Sequence, residues 1–201
     1  MFSDNVKSGI RQRQKELTAA KILQAAKNIF EKEGYEKANI RKIAKEAKVA
    51  PGSVINHYKD KTSLLHFALY DDLETVLEKC IKKFGQDTVE KDLTTLTQAV
   101  FKYYQERTNL SKILLKESLF AESPWAQKFA EQTGHVHKSI VSICEKAIEK
   151  GYLRKDVNCN VFAASYLSFF YFNLIAWVQG ANDSPVDLIN CMTGEYIKLL
   201  K

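Results

Sequence analysis

Proline is scarce in this 201-residue chain, with 3, and glycine numbers only 8, so the backbone has few compulsory breaks. No stretch alternates apolar and polar residues over strand length, which argues against a β-rich fold and favours an all-α one. The 4 cysteines, Cys80, Cys144, Cys159 and Cys191, stand far apart without a C-x-x-C pair. That spacing argues against a disulfide framework and suits reduced, mostly buried thiols in a cytoplasmic protein. Also missing are a Gly-rich phosphate loop, G-x-S-x-G, H-E-x-x-H and a carboxylate dyad in an apolar setting, so no enzyme chemistry is expected. His135 and His137 are two apart, on different faces of a helix, and make a poor metal pair; neither metal nor cofactor is expected. The first ten residues lack the basic start and apolar run of a secretory signal.

What the chain does have is a lopsided charge. Residues 1–61 hold 14 Lys plus Arg against 7 Asp plus Glu, a net of +7, which leaves 16 against 17 in the remaining residues. The whole positive excess therefore lies at one end, as phosphate binding requires, because Lys and Arg release condensed counterions and steer association. Read alone, a Lys-rich helical surface signifies only solubility.

Within that basic end, residues 40–65 give the sharpest local signal. Asn39 is placed to cap a short helix in which Ile40, Ile43, Ala44 and Ala47 share a face, leaving Arg41, Lys42, Lys45 and Lys48 outward. Val49 follows as an apolar plug between two helices, and Pro51 sits where a first-turn residue needs no N–H. Gly52, Ser53, Asn56 and His57 are small or polar, which lets a second helix approach a groove, while Val54 and Tyr58, four apart, can face the protein. The pattern is that of a helix-turn-helix.

The same segment resembles the DNA-binding region of the TetR family of bacterial transcriptional regulators. The likeness runs upstream through Ile22, Leu23, Ala25, Ala26, Phe30, Gly34, Tyr35 and Asn39 and covers about fifty residues without a gap. Three positions depart from the family pattern: Lys48 where a turn glycine is usual, Ala50 where a Ser or Thr cap is usual, and Ile55 where a phosphate-touching tyrosine is common. The resemblance implies about nine helices. An N-terminal three-helix DNA-binding domain, residues 1–60, would be followed by a larger helical ligand-binding and dimerisation domain, residues 61–201. It also implies a repressor that binds a pseudo-palindromic operator as a homodimer and is released by a small molecule. By family position, Ser53, Val54 and Asn56 are candidates for base edges, Arg41, His57, Tyr58 and Lys61 for phosphates, and Asn39 for a further DNA contact. Lys7, Arg11, Arg13 and Lys15 would form a basic arm.

The remaining chain reads as helices over about 62–84, 89–106, 110–121, 124–150, 161–180 and 186–200, by apolar periodicity and by stops at Gly85 and Gly151. Residues 161–180 lie in a stretch without charge between Asp156 and Asp183 and are long enough to span a membrane, yet Ser165, Ser168, Asn173 and two tyrosines interrupt them and acidic residues flank them. Burial on all sides, partly against a second subunit, is the better reading, and no membrane association is expected. In the resembled family the last two helices pair with their copies in a partner. The family's effector site lies among the central helices, and here the aromatic pool is Phe101, Tyr104, Phe120, Trp125, Phe129, Tyr166, Phe169, Phe170, Phe172 and Trp177, which suits a hydrophobic effector. An aromatic stripe at helical spacing also serves as plain core. If the three departures abolish specific DNA binding, a helical interaction or structural protein remains.

Overall fold

The computed structural model describes residues 2–119 and 124–201, with side chains from residue 9 onward except 109 and 116–119. Among the described residues every regular element is an α-helix: α1 (Phe2–Glu33), α2 (Ile40–Ala47), α3 (Pro51–Tyr58), α4 (Lys61–Ile81), α5 (Val89–Gln105), α6 (Thr108–Leu119), α7 (Trp125–Glu149), α8 (Cys159–Val178) and α9 (Pro185–Lys198). The all-α expectation holds. Residues 7–15, expected as an arm, instead continue α1 without interruption. Helix α4 ends before the expected residue 84 because Lys83 and Phe84 donate to carbonyls three residues back, each at 3.0 Å, winding the chain into Gly85 at φ 80°.

Two compact units form. One comprises Met1–Asp72 with Arg107–Glu117, the other Leu73–Glu106 with Ser118–Lys201. The first unit thus takes in the opening turns of α4, beyond residue 60. The Tyr58 ring meets the Phe67 ring edge-on at 5.2 Å, and the Tyr35 hydroxyl lies 3.0 Å from Thr62 Oγ1. Its core is apolar, with Ile22, Ala26, Ile43, Val54, Leu64 and Leu65 fully shielded. Lys27 and Asp72 pair at 2.6 Å, and Arg107 reaches Glu31 at 3.3 Å.

The second unit packs α7 on α8, with α9 against both α5 and α8. Polar groups pair within its core: Tyr166 Oη lies 2.8 Å from Thr97 Oγ1, and Asn173 donates to Phe169 O at 2.8 Å while accepting from Asn182 at 3.0 Å. Helix α8 is long and apolar enough to cross a membrane by length and composition, and only 28% of its apolar window is buried within the chain. Its uncovered side chains include Val161, Phe172 and Ile175, and α9 leaves Leu188 exposed.

Candidate nucleic-acid interface and helical cavity

The turn between α2 and α3 is built by backbone bonds at both ends. Asn39 caps α2, its Oδ1 accepting from Lys42 N at 3.0 Å. At the other end Val49 N donates to Ala44 O at 2.9 Å and Lys48 N to Lys45 O at 3.2 Å, a Schellman arrangement with Lys48 left-handed at φ 57°. Helix α3 then starts at Ala50, which supplies no side-chain cap, with Pro51 in its first turn. It ends at Lys59, φ 60°, where Asp60 N donates to Tyr58 O and closes a γ-turn. Asp60 Oδ1 then accepts from Ser63 N at 2.7 Å and starts α4. Two tight turns, each centred on a left-handed lysine, therefore fix α3 on both sides.

Val54 is completely shielded in the first unit, so it reaches no thymine methyl; its expected base contact is corrected to core packing. Tyr58 is buried too, and its hydroxyl donates to Ala19 O at 2.9 Å. Burial raises its pKa, with Asp71 adding to the shift, and the hydroxyl bond within the unit replaces the expected phosphate contact. Asn39, Arg41 and Asn56 are exposed, while Ser53 and His57 are half-buried. Lys61 donates to Tyr35 O at 3.0 Å with its ammonium 4.2 Å from the Tyr35 ring centroid, so one of its three N–H groups is already engaged. Lys42, one of the expected outward lysines, pairs with Glu33 and donates to Lys37 O at 3.2 Å.

The outward face of α3 consists of Pro51, Gly52, Ile55 and Asn56, with Lys59 following, and Ile55 is 53% exposed. Sequence reasoning named Ile55 only as a departure from a phosphate-touching tyrosine and overlooked Lys59 as a member of this face. The signal was available, since Ile55 and Lys59 follow Pro51 at successive intervals of four and so share a side of the helix with it. Arg41, Lys45 and Lys48 are also exposed. An exposed basic helix pair with a short, open second helix can enter a major groove.

A cavity of about 60 Å³ lies in the second unit, room for a few water molecules. Of the expected aromatics, Tyr104, Tyr166 and Phe170 line it. Phe101 stands behind them in the core, its ring 5.2 Å from Phe170 and 6.1 Å from Trp177. Phe169 turns its ring to Tyr196 at 5.9 Å, and Phe172 is exposed. Trp125 and Phe129 are absent from the lining, and Phe120 lies outside the described residues. The rest of the wall comes from helical i, i+4 pairs such as Leu73 with Leu77 and Leu96 with Val100, with polar groups at Gln132, Thr133 and Tyr171. Gln132 donates to Glu74 at 2.6 Å, and Thr133 Oγ1 lies 3.2 Å from the Tyr171 hydroxyl. Burial raises the Tyr104 pKa, with Tyr171 and Tyr103 adding to it, and burial likewise raises that of Tyr166, so both line the cavity as neutral phenols.

His135 and His137 take separate partners: His135 Nδ1 lies 3.8 Å from Glu74, and His137 Nε2 lies 3.3 Å from Asn160 O. Among the described residues all four cysteines are free thiols.

The geometry of α2 and α3 makes this chain a helix-turn-helix protein. Residues 22–67 match the family model for bacterial regulatory proteins of the tetR family, a family of transcriptional regulators. The chain is 22% identical over 159 residues to the HTH-type transcriptional regulator UidR of Escherichia coli strain K12, covering 77% of this chain and 78% of that one. Two solved structures share the fold. A TetR transcription regulator from Haloarcula marismortui superposes with TM-score 0.75 at 19% identity, covering 92% of this chain and 98% of that one. FadR from Bacillus subtilis, solved with stearoyl-CoA, superposes with TM-score 0.70 at 20% identity, covering 90% and 99%.

Proposed function

We propose that this chain is a cytoplasmic repressor that binds a pseudo-palindromic operator as a homodimer and is released by an apolar or aromatic small molecule. The single observation that carries the DNA reading is the open face of α3, presented between two fixed turns at the basic end of the chain. Asn56 and Ser53 are the residues for base edges, and Arg41, His57 and Lys61 those for phosphates, with Asn39 at the α2 cap beside them. A short helix reads only a few base pairs, so a two-fold pair supplies the rest of the affinity. The apolar side chains that α8 and α9 leave uncovered, Phe172, Ile175 and Leu188 among them, support pairing with a second copy rather than a lipid surface. For the effector, the support is the cavity among α4, α5, α7 and α8, apolar with a few convergent polar groups. That the similar fold of Bacillus subtilis FadR was solved with stearoyl-CoA supports an apolar occupant.

A gel shift with duplex of arbitrary sequence tests the DNA reading. The expected result is binding at low salt that weakens steeply as salt rises. Absence of binding at low salt would leave the helical interaction protein as the better reading.

A further inference from the structure

The outward face of α3 carries an apolar side chain that its own unit leaves open. Ile55 is 53% exposed, although Val54 beside it in sequence is fully shielded, because successive helical residues point about 100° apart. One turn earlier, a Cβ added at Gly52 would meet nothing within 4 Å, so the surface beside Ile55 is low and open. One turn later stands Lys59, exposed, and Lys48 is exposed at the start of the same turn-helix segment. A polyanion with an apolar group on it is therefore the complementary partner for this patch.

The major groove meets that description. Its base edges present hydrogen-bond donors and acceptors, except for the thymine 5-methyl, the one apolar group among them. An isoleucine set against any other edge, or against a phosphate, would strip water from a polar group and offer no hydrogen bond in return. Against a methyl it loses nothing and removes apolar surface from water.

We propose that Ile55 reads a thymine methyl in each half-site, and so is the apolar specificity determinant of this chain. The inference rests on the DNA-binding reading above. It gives the departure at position 55 a role: a residue type suited to no phosphate contact becomes a base-reading one.

The test begins with selection of binding sites by the full-length protein from a randomised duplex library. Each thymine of the selected site is then replaced singly by deoxyuridine, which removes the 5-methyl and keeps the base pair. Affinities of the wild type and of Ile55→Ala are measured by fluorescence anisotropy, with circular dichroism to verify that the variant is folded. The expected result is one thymine per half-site whose replacement weakens the wild type about fourfold and leaves Ile55→Ala unchanged. Losses of equal size in wild type and variant at every thymine, or no loss anywhere, would overturn the Ile55 contact and leave the DNA reading intact. Failure to enrich any sequence would overturn the specific DNA reading and the contact with it. Ile55→Val, which retains a methyl-bearing side chain, is expected to keep part of the deoxyuridine effect; complete loss with Val would count against direct contact.

Discussion

The backbone N–H of Val49 donates to the carbonyl of Ala44 at 2.9 Å, and this bond holds Lys48, the residue inside it, at φ 57°. The same closure recurs where Tyr152 N meets Ala147 O and where Ala181 N meets Ala176 O, both at 2.8 Å, but there the left-handed residue is Gly151 or Gly180. Lys48 bears a Cβ in a conformation that glycine adopts freely. Lys48→Gly is therefore expected to stabilise the protein by about 1 kcal/mol, read as a raised urea midpoint at unchanged slope. A lowered midpoint would show that the lysine side chain contributes more than its backbone costs.

Ala50 leaves the start of α3 without a side-chain acceptor. Ala50→Ser supplies one, and about 1 kcal/mol of added stability is expected in the same denaturation experiment. If stability does not change, the N–H groups of the first turn are already satisfied.

Tyr58 and Lys61 separate packing from DNA contact. Tyr58→Phe removes the bond to Ala19 O and is expected to cost about 1 kcal/mol of stability while leaving the salt dependence of DNA binding unchanged. Lys61→Ala is expected to lower the salt slope by about one unit per subunit, since two of its ammonium N–H groups remain available beyond the bond to Tyr35 O. An unchanged slope would assign Lys61 to holding Tyr35 alone.

Phe172 is 62% exposed on α8. Phe172→Glu places a charge where the proposed subunit contact would bury it, and sedimentation at micromolar concentration is expected to show monomer for the variant and dimer for the wild type. A monomeric wild type would contradict the pairing of α8 and α9.

Most of the helical architecture was legible in the sequence because apolar periodicity and end signals are local. Asn39 predicts the start of α2, Pro51 that of α3, and Gly151 the stop of α7, and each does so by a backbone requirement. The site was less legible. Family position placed Val54 at the DNA, whereas its spacing of four from Tyr58 suited the protein side, and the structure buries both. The cavity was legible in part. Of the aromatic pool Tyr104, Tyr166 and Phe170 line it, whereas Phe101 packs against Phe170 and Trp177 in the core, and aliphatic i, i+4 pairs from several helices converge to complete the wall. Convergence of that kind depends on helix packing, which no single helix encodes. The reach of the first unit past residue 60 and its use of Arg107–Glu117 also depend on long-range contacts.

Footprinting of the DNA that flanks this chain's own gene tests the central claim most directly. The expected result is a protected region containing two inverted half-sites, their centres one helical turn or a multiple of it apart. Protection without two-fold symmetry, or uniform weak protection along the fragment, would contradict a dimeric, operator-specific regulator.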